Sequence, residues 1–138
     1  MGNFLTPVLA LILWTFVMWI WMYKRRIPAM NAISKNPQKF IDDPELWEKM
    51  PSSAKNVADN YNHLHEQPVI FYALMFYISL NTQADDIYMY LAWAYVAIRV
   101  VHSLIQVTTN KVMHRFSLFA LGTVVLMVMG LRAAIGLF

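Results

Sequence analysis

The sequence predicts an all-α integral membrane protein folded as a four-helix bundle, and three observations carry that prediction. Of its 138 residues, 59% are hydrophobic and only 14% are charged, against roughly 45–50% and about 25% in soluble domains. The apolar residues gather into four runs. Lysine and arginine gather in the connections between alternate runs. A single domain of this size cannot hide so much apolar surface from water. An ordinary soluble enzyme, a disordered tail and a nucleic-acid binder are thereby excluded. The net charge is +3 and there is no cysteine, so disulfides, thiol nucleophiles and thiolate metal sites are excluded too. Residues 1–138 read as one transmembrane domain.

The first span, residues 4–23, carries no charge. About 20 residues rising 1.5 Å each cross a hydrocarbon core of about 30 Å. Lys24-Arg25-Arg26 follow this run and do not precede it, unlike the charges of a signal peptide, so a retained helix is expected. The connection of residues 24–52 holds Pro28, Pro37, Pro44 and Pro51. These should prevent a long helix while allowing a short turn at Pro44–Lys49. Phe40 and Trp47 are expected to rest on the bilayer surface.

The second span, residues 62–80, is long enough only if its helix starts earlier. Ser52-Ser53 are N-cap candidates. Residues 53–66 then form a polar stalk, and Pro68 should kink the helix as it enters lipid. The third span is residues 87–107 and the fourth 116–137, where Arg132 can snorkel to the interface. The connection at residues 81–86 has no lysine or arginine. The first and third connections are therefore cytoplasmic, and both termini face outward.

Ionisable groups inside a span are costly and signal function. Arg99 lies about 12 Å into the third span, counted from its cytoplasmic end at 1.5 Å per residue. Arg99, Ser103, Gln106 and Asn110 recur at 4, 3 and 4, with His102 alongside, so they share a helix face. In the second helix Lys55, Asp59, Asn62 and Glu66 recur at the same intervals, flanked by His63 and His65. Two such stripes at one depth predict a polar cavity open to the cytoplasm. Lys111, His114 and Arg115 at its mouth favour an anionic ligand. An ion pair between Arg99 and Glu66 is expected within it. His63 and His65, two apart, point different ways, so no metal site is read.

The series Asn62-x-x-His65-Glu66-x-Pro68-x-x-Phe71, with Arg99-x-x-His102-Ser103-x-x-Gln106 and Arg115, resembles the MAPEG family of membrane-associated proteins in eicosanoid and glutathione metabolism. It looks most like the family's small bacterial members, which places it in a bacterial inner membrane. The resemblance implies a homotrimer among membrane lipids, binding glutathione between subunits on the cytoplasmic side. It also implies transferase or peroxidase chemistry on a lipophilic small-molecule substrate. Asn62, His65, Glu66, Arg99, His102 and Gln106 become the candidate glutathione-binding residues. Arg115 matches the arginine associated with thiolate stabilisation and is the candidate catalytic residue. Arg25 or Arg26 matches a basic residue ending the first helix.

The sequence also departs from the family's enzymes. They usually carry arginines where this chain has Lys55 and Ala58. Their glutamate is His65 here, with Glu66 one place on, and a tyrosine is replaced by Gln106. One residue turns a side chain about 100° around a helix, so Glu66 is expected to face Arg99. The alternative reading is a non-catalytic lipid-binding or scaffold protein of the same fold.

Overall fold

The computed structural model describes residues 3–138, which are helical apart from their connections, with no strand among them. The helices are α1 (Thr6–Ile33), α2 (Lys39–Asp42), α3 (Ser52–His63), α4 (Gln67–Leu80), α5 (Asp86–Val107) and α6 (Val112–Ile135), with a 3₁₀ turn at Pro44–Lys49. Among the described residues, α1, α5 and α6 are the three helices long and apolar enough to cross a membrane. α4 has 14 residues, about 21 Å of helix, which is short of a core of about 30 Å.

The kink expected at Pro68 is a break. A proline removes one N–H and its ring collides with the carbonyl four residues back, so α3 cannot run through it. The chain leaves helical geometry at Glu66 (φ −99°, ψ −95°) and restarts with Pro68 in the first turn of α4, where the missing N–H leaves no gap. At the start of α3 the two serines do not cap. Pro51 occupies the cap position, and its carbonyl accepts the N–H groups of Ala54 (3.0 Å) and Lys55 (3.2 Å).

α1 also departs from expectation, because it continues past Tyr23 and through Pro28 to Ile33. Its added turns place Ala29, Met30 and Ile33 against Phe40, Met50 and Ala54 in a small second core. That burial outweighs the one hydrogen bond Pro28 removes. Phe40 is 1% exposed and lies 5.0 Å from Trp47, whose ring also carries the Arg26 guanidinium at 4.8 Å. Phe40 is therefore inside this core and not on a bilayer surface, while Trp47 packs half-buried at its edge. The 3₁₀ turn forms where the prolines allowed it, with Asp43 accepting the Glu45 N–H at 3.2 Å.

In the main core α1 packs on α3 and α5, while α6 packs on α5 and α4. Leu11, Met18, Phe71, Met75, Ala92, Tyr95 and Met129 are fully buried there. α6 comes close to the others because residue 122 is glycine. A Cβ at that position would lie 3.3 Å from Oε1 of Gln67 and 3.4 Å from the Tyr95 ring. Leu13, Phe16, Val17 and Ile20 on α1, with Val124, Met127 and Leu131 on α6, face outward, as lipid contact requires.

At the end away from Lys24–Arg26, Asp85 caps α5 by accepting the Tyr88 N–H at 3.0 Å. It also accepts two hydrogen bonds from Arg132, at 2.9 and 2.5 Å. Arg132 lies 4.3 Å over the Tyr88 ring, so it reaches the connection before α5 and is pinned there. The Arg132 hydrogen bond holds the Asp85 carboxyl below its ordinary value. The folded state thus binds this proton less tightly than the unfolded state. The clamp stabilises fully above about pH 4 and fades as pH falls through the lowered folded value. Thermal unfolding in detergent should show a midpoint that drops on such acidification. Asp85→Asn should flatten part of that drop, and an acid limb identical to wild type would rule the clamp out.

Candidate functional site

Polar side chains enter the interior at the basic end of the bundle. α5 turns Arg99, His102, Ser103 and Gln106 inward, as their spacing predicted, and Arg99 is 1% exposed. α3 and α4 run antiparallel to α5 in a register fixed by three contacts. Nδ2 of Asn110 donates to Oδ1 of Asn56 at 3.2 Å. The His63 and His102 rings lie 6.4 Å apart. The Tyr95 hydroxyl donates to Oε1 of Gln67 at 3.1 Å, and Nε2 of Gln67 donates to Oγ1 of Thr123 at 2.7 Å. This register sets Asn60 level with Gln106.

The inward stripe is therefore Asn56, Asn60, His63 and Gln67, one residue on from the predicted Lys55, Asp59, Asn62 and Glu66. Both sets recur at 4, 3 and 4. What separates them is Val57 and Leu64, which are buried and pull their own face into the core. Those two apolar residues were the signal available in the sequence. Asn60 was missed for the same reason, although it is fully buried.

Along this seam both amide atoms of Asn60 are buried without a hydrogen-bond partner among the described residues. So are Oγ of Ser103, Oε1 of Gln106, Nδ1 of His102, and Nε and Nη2 of Arg99. Buried polar atoms are nearly always paired with protein or with water. The unpartnered polar atoms are thus concentrated along this one seam between α3 and α5. The expected pairing of Arg99 with Glu66 does not form. Glu66 lies at the helix break and is exposed, and Nδ1–H of His63 donates to its Oε2 at 3.2 Å.

The predicted site residues do not converge on one cavity of the chain. A groove of about 290 Å³ is walled by Arg26, Trp47, Lys55, Ala58, Asp59 and Asn62. It takes Arg26, not Arg25, from the basic cluster. A second hollow of about 300 Å³ holds His63, Glu66, His102 and Arg115 beside Val112, Phe116 and Phe119. Arg99 and Gln106 stay inside the seam. His65 turns to a separate crevice with Phe16, Val69 and Tyr72, its Nδ1–H donating to the Tyr61 carbonyl at 2.9 Å. Arg115 is held by Asn110, whose Oδ1 accepts from its Nη1 at 2.5 Å. Asn110 sits at φ 49°, a left-handed conformation that asparagine tolerates better than most residues.

Apolar helices of spanning length, with a polar seam and an arginine-bearing hollow at one end, define an all-helical integral membrane protein. The sequence model of the MAPEG family matches residues 4–135, and the chain belongs to that family. Comparison with curated proteins and with solved structures found no match.

Proposed function

We propose that this protein is a glutathione-dependent transferase or peroxidase acting on lipophilic electrophiles, working as a homotrimer with sites between subunits. The observation that carries this reading is the division of polar groups between two separate hollows. Asn62, Arg26 and Lys55 line one, and Arg115, His102 and Glu66 line the other. The groove offers cations and an amide, whereas the guanidinium beside the apolar Phe116 and Phe119 lies only in the hollow. The groove of one subunit set against the hollow of the next supplies both.

The chemistry follows from charge. A thiol becomes a useful nucleophile when it loses its proton, and a guanidinium beside sulfur in a partly dry site favours the thiolate. Arg115 fills that role, its position fixed through Asn110 and Asn56. The electrophile arrives through the bilayer along Phe116 and Phe119, which remain exposed beside Arg115. In this reading α3 and α4 together complete a fourth span. The basic connections face the cytoplasm of a bacterium, and the protein sits in its inner membrane with both termini outside.

The rival reading is a lipid-binding or scaffold protein of the same fold. Two placements favour it: His65 faces the lipid-side crevice, and Ala58 offers the groove no charge. Calorimetric titration with glutathione in detergent separates the two. Binding heat at or below millimolar ligand, together with an ultraviolet thiolate band, is expected of the enzyme. Arg115→Ala should cut the thiolate signal and turnover by about 10²–10³-fold, the usual effect of removing one charge-stabilising donor. A silent wild-type titration defeats the glutathione reading, and an undiminished band in Arg115→Ala defeats the assigned role.

A further inference from the structure

We infer that His63, oriented by Glu66, accepts the thiol proton in the Arg115 hollow; this rests on reading that hollow as the thiol site. Activation leaves a proton to place, and Arg115 cannot take it, because a guanidinium is already protonated and only donates. The titratable groups facing the space are His63 and Glu66 from the break between α3 and α4, His102 from α5 and Arg115 from α6. Buried Arg99 lies one turn behind His102. Of the two imidazoles, His102 is buried and its Nδ1 has no partner among the described residues. His63 has a side-chain exposure of 38% and holds a carboxylate at 3.2 Å.

That carboxylate decides the tautomer. An ionised Glu66 only accepts, so Nδ1 of His63 must carry the hydrogen between them. Nε2 is left with its lone pair, and among the described residues the ring makes no other hydrogen bond. A carboxylate, an imidazole and a nucleophile in series is the general way a protein activates a weak nucleophile. The helix break at Glu66 brings residues 63 and 66 into this turn.

The step balances within the site. The S–H bond breaks, its proton moves to Nε2 of His63, and the electron pair stays on sulfur beside Arg115. As the thiolate attacks a lipophilic electrophile, a C–S bond forms. The displaced electron pair, on a leaving group or an adjacent atom, takes the proton back from His63. Thiol and electrophile become thioether and protonated leaving group, and the imidazole is neutral again.

Titrating glutathione into the full-length protein in buffers of differing ionisation heat counts the protons released on binding. At neutral pH, with the thiolate beside the imidazolium holding the proton on the ring, the wild type should form thiolate and release almost none. His63→Gln should keep its affinity within a few-fold and release about one proton per thiolate, or lose the band while still binding. Either outcome supports the assignment. Glu66→Gln, at an exposed position, gives a second reading, since a weaker acceptor should raise the count above wild type. A count unmoved by both substitutions, with thiolate still formed, overturns the proton acceptor and leaves the thiol site standing. A wild type that binds no glutathione removes the thiol site and the acceptor with it.

Discussion

Chains carrying Asn62→Ala, mixed with chains carrying Arg115→Ala, should recover thiolate formation that neither variant shows alone. The expectation comes from where the two residues lie, one in the groove and the other in the separate hollow. In a ring of identical subunits each site takes the groove of one chain and the hollow of the next. Random mixing in equal amounts then leaves about a quarter of the sites with both halves intact. Each parent should be nearly silent. Arg115→Ala loses the group that holds charge on sulfur. Asn62→Ala loses a contact to a charged ligand, about 1.5–3 kcal/mol, enough to empty the site at a glutathione concentration that just saturates wild type. Two affinity tags on co-expressed chains allow mixed oligomers to be purified and their thiolate band read. Recovery near a quarter places the site between subunits. No recovery means that the two residues serve one protomer or do not share a ligand.

That division was only partly legible in the sequence. Arg99, His102, Ser103 and Gln106 lie on a long helix whose other face is continuously apolar. Their spacing alone was enough to turn them inward. The stalk helix was ambiguous because it is polar nearly all round, and two stripes offset by one residue fitted the same period. Only the weak apolar pull of Val57 and Leu64 chose between them. The extension of α1 was hidden for a different reason. Pro28 argued locally for a stop, while the residues that hold the helix, Phe40, Met50 and Ala54, are distant in sequence. The split into two hollows could not be read from spacing, since the periodicity of single helices says nothing about which faces of the bundle are set apart. The membrane class, by contrast, was fixed by composition before any residue was placed.

The largest effect on stability is expected from Phe71→Ala. Phe71 is fully buried in α4 and stacks on Tyr95 at 4.7 Å between ring centroids. In a soluble core such a truncation costs about 3–5 kcal/mol, part transfer energy and part cavity. A membrane changes that balance. Lipid tails are as apolar as the bundle interior, so helices associate through packing and not through a hydrophobic force. The transfer part shrinks, while the cavity and the lost ring contact, itself about 0.5–1.5 kcal/mol, remain. A cost of about 3 kcal/mol is expected, roughly a 150-fold shift in the folding equilibrium. Phe76 on the same helix provides the control, because it is 48% exposed and Phe76→Ala leaves no cavity. Its cost should stay within about 0.5 kcal/mol. Equilibrium unfolding in mixed detergent micelles compares the two directly, and equal losses would mean that apolarity, not packing, holds α4. The consequence reaches the site, since Tyr95 bonds Gln67 and Gln67 bonds Thr123. Loosening Tyr95 frees the start of α4 and the adjoining break that holds His63 against Glu66. Phe71→Ala should therefore weaken glutathione binding as well, although Phe71 lines neither the groove nor the hollow.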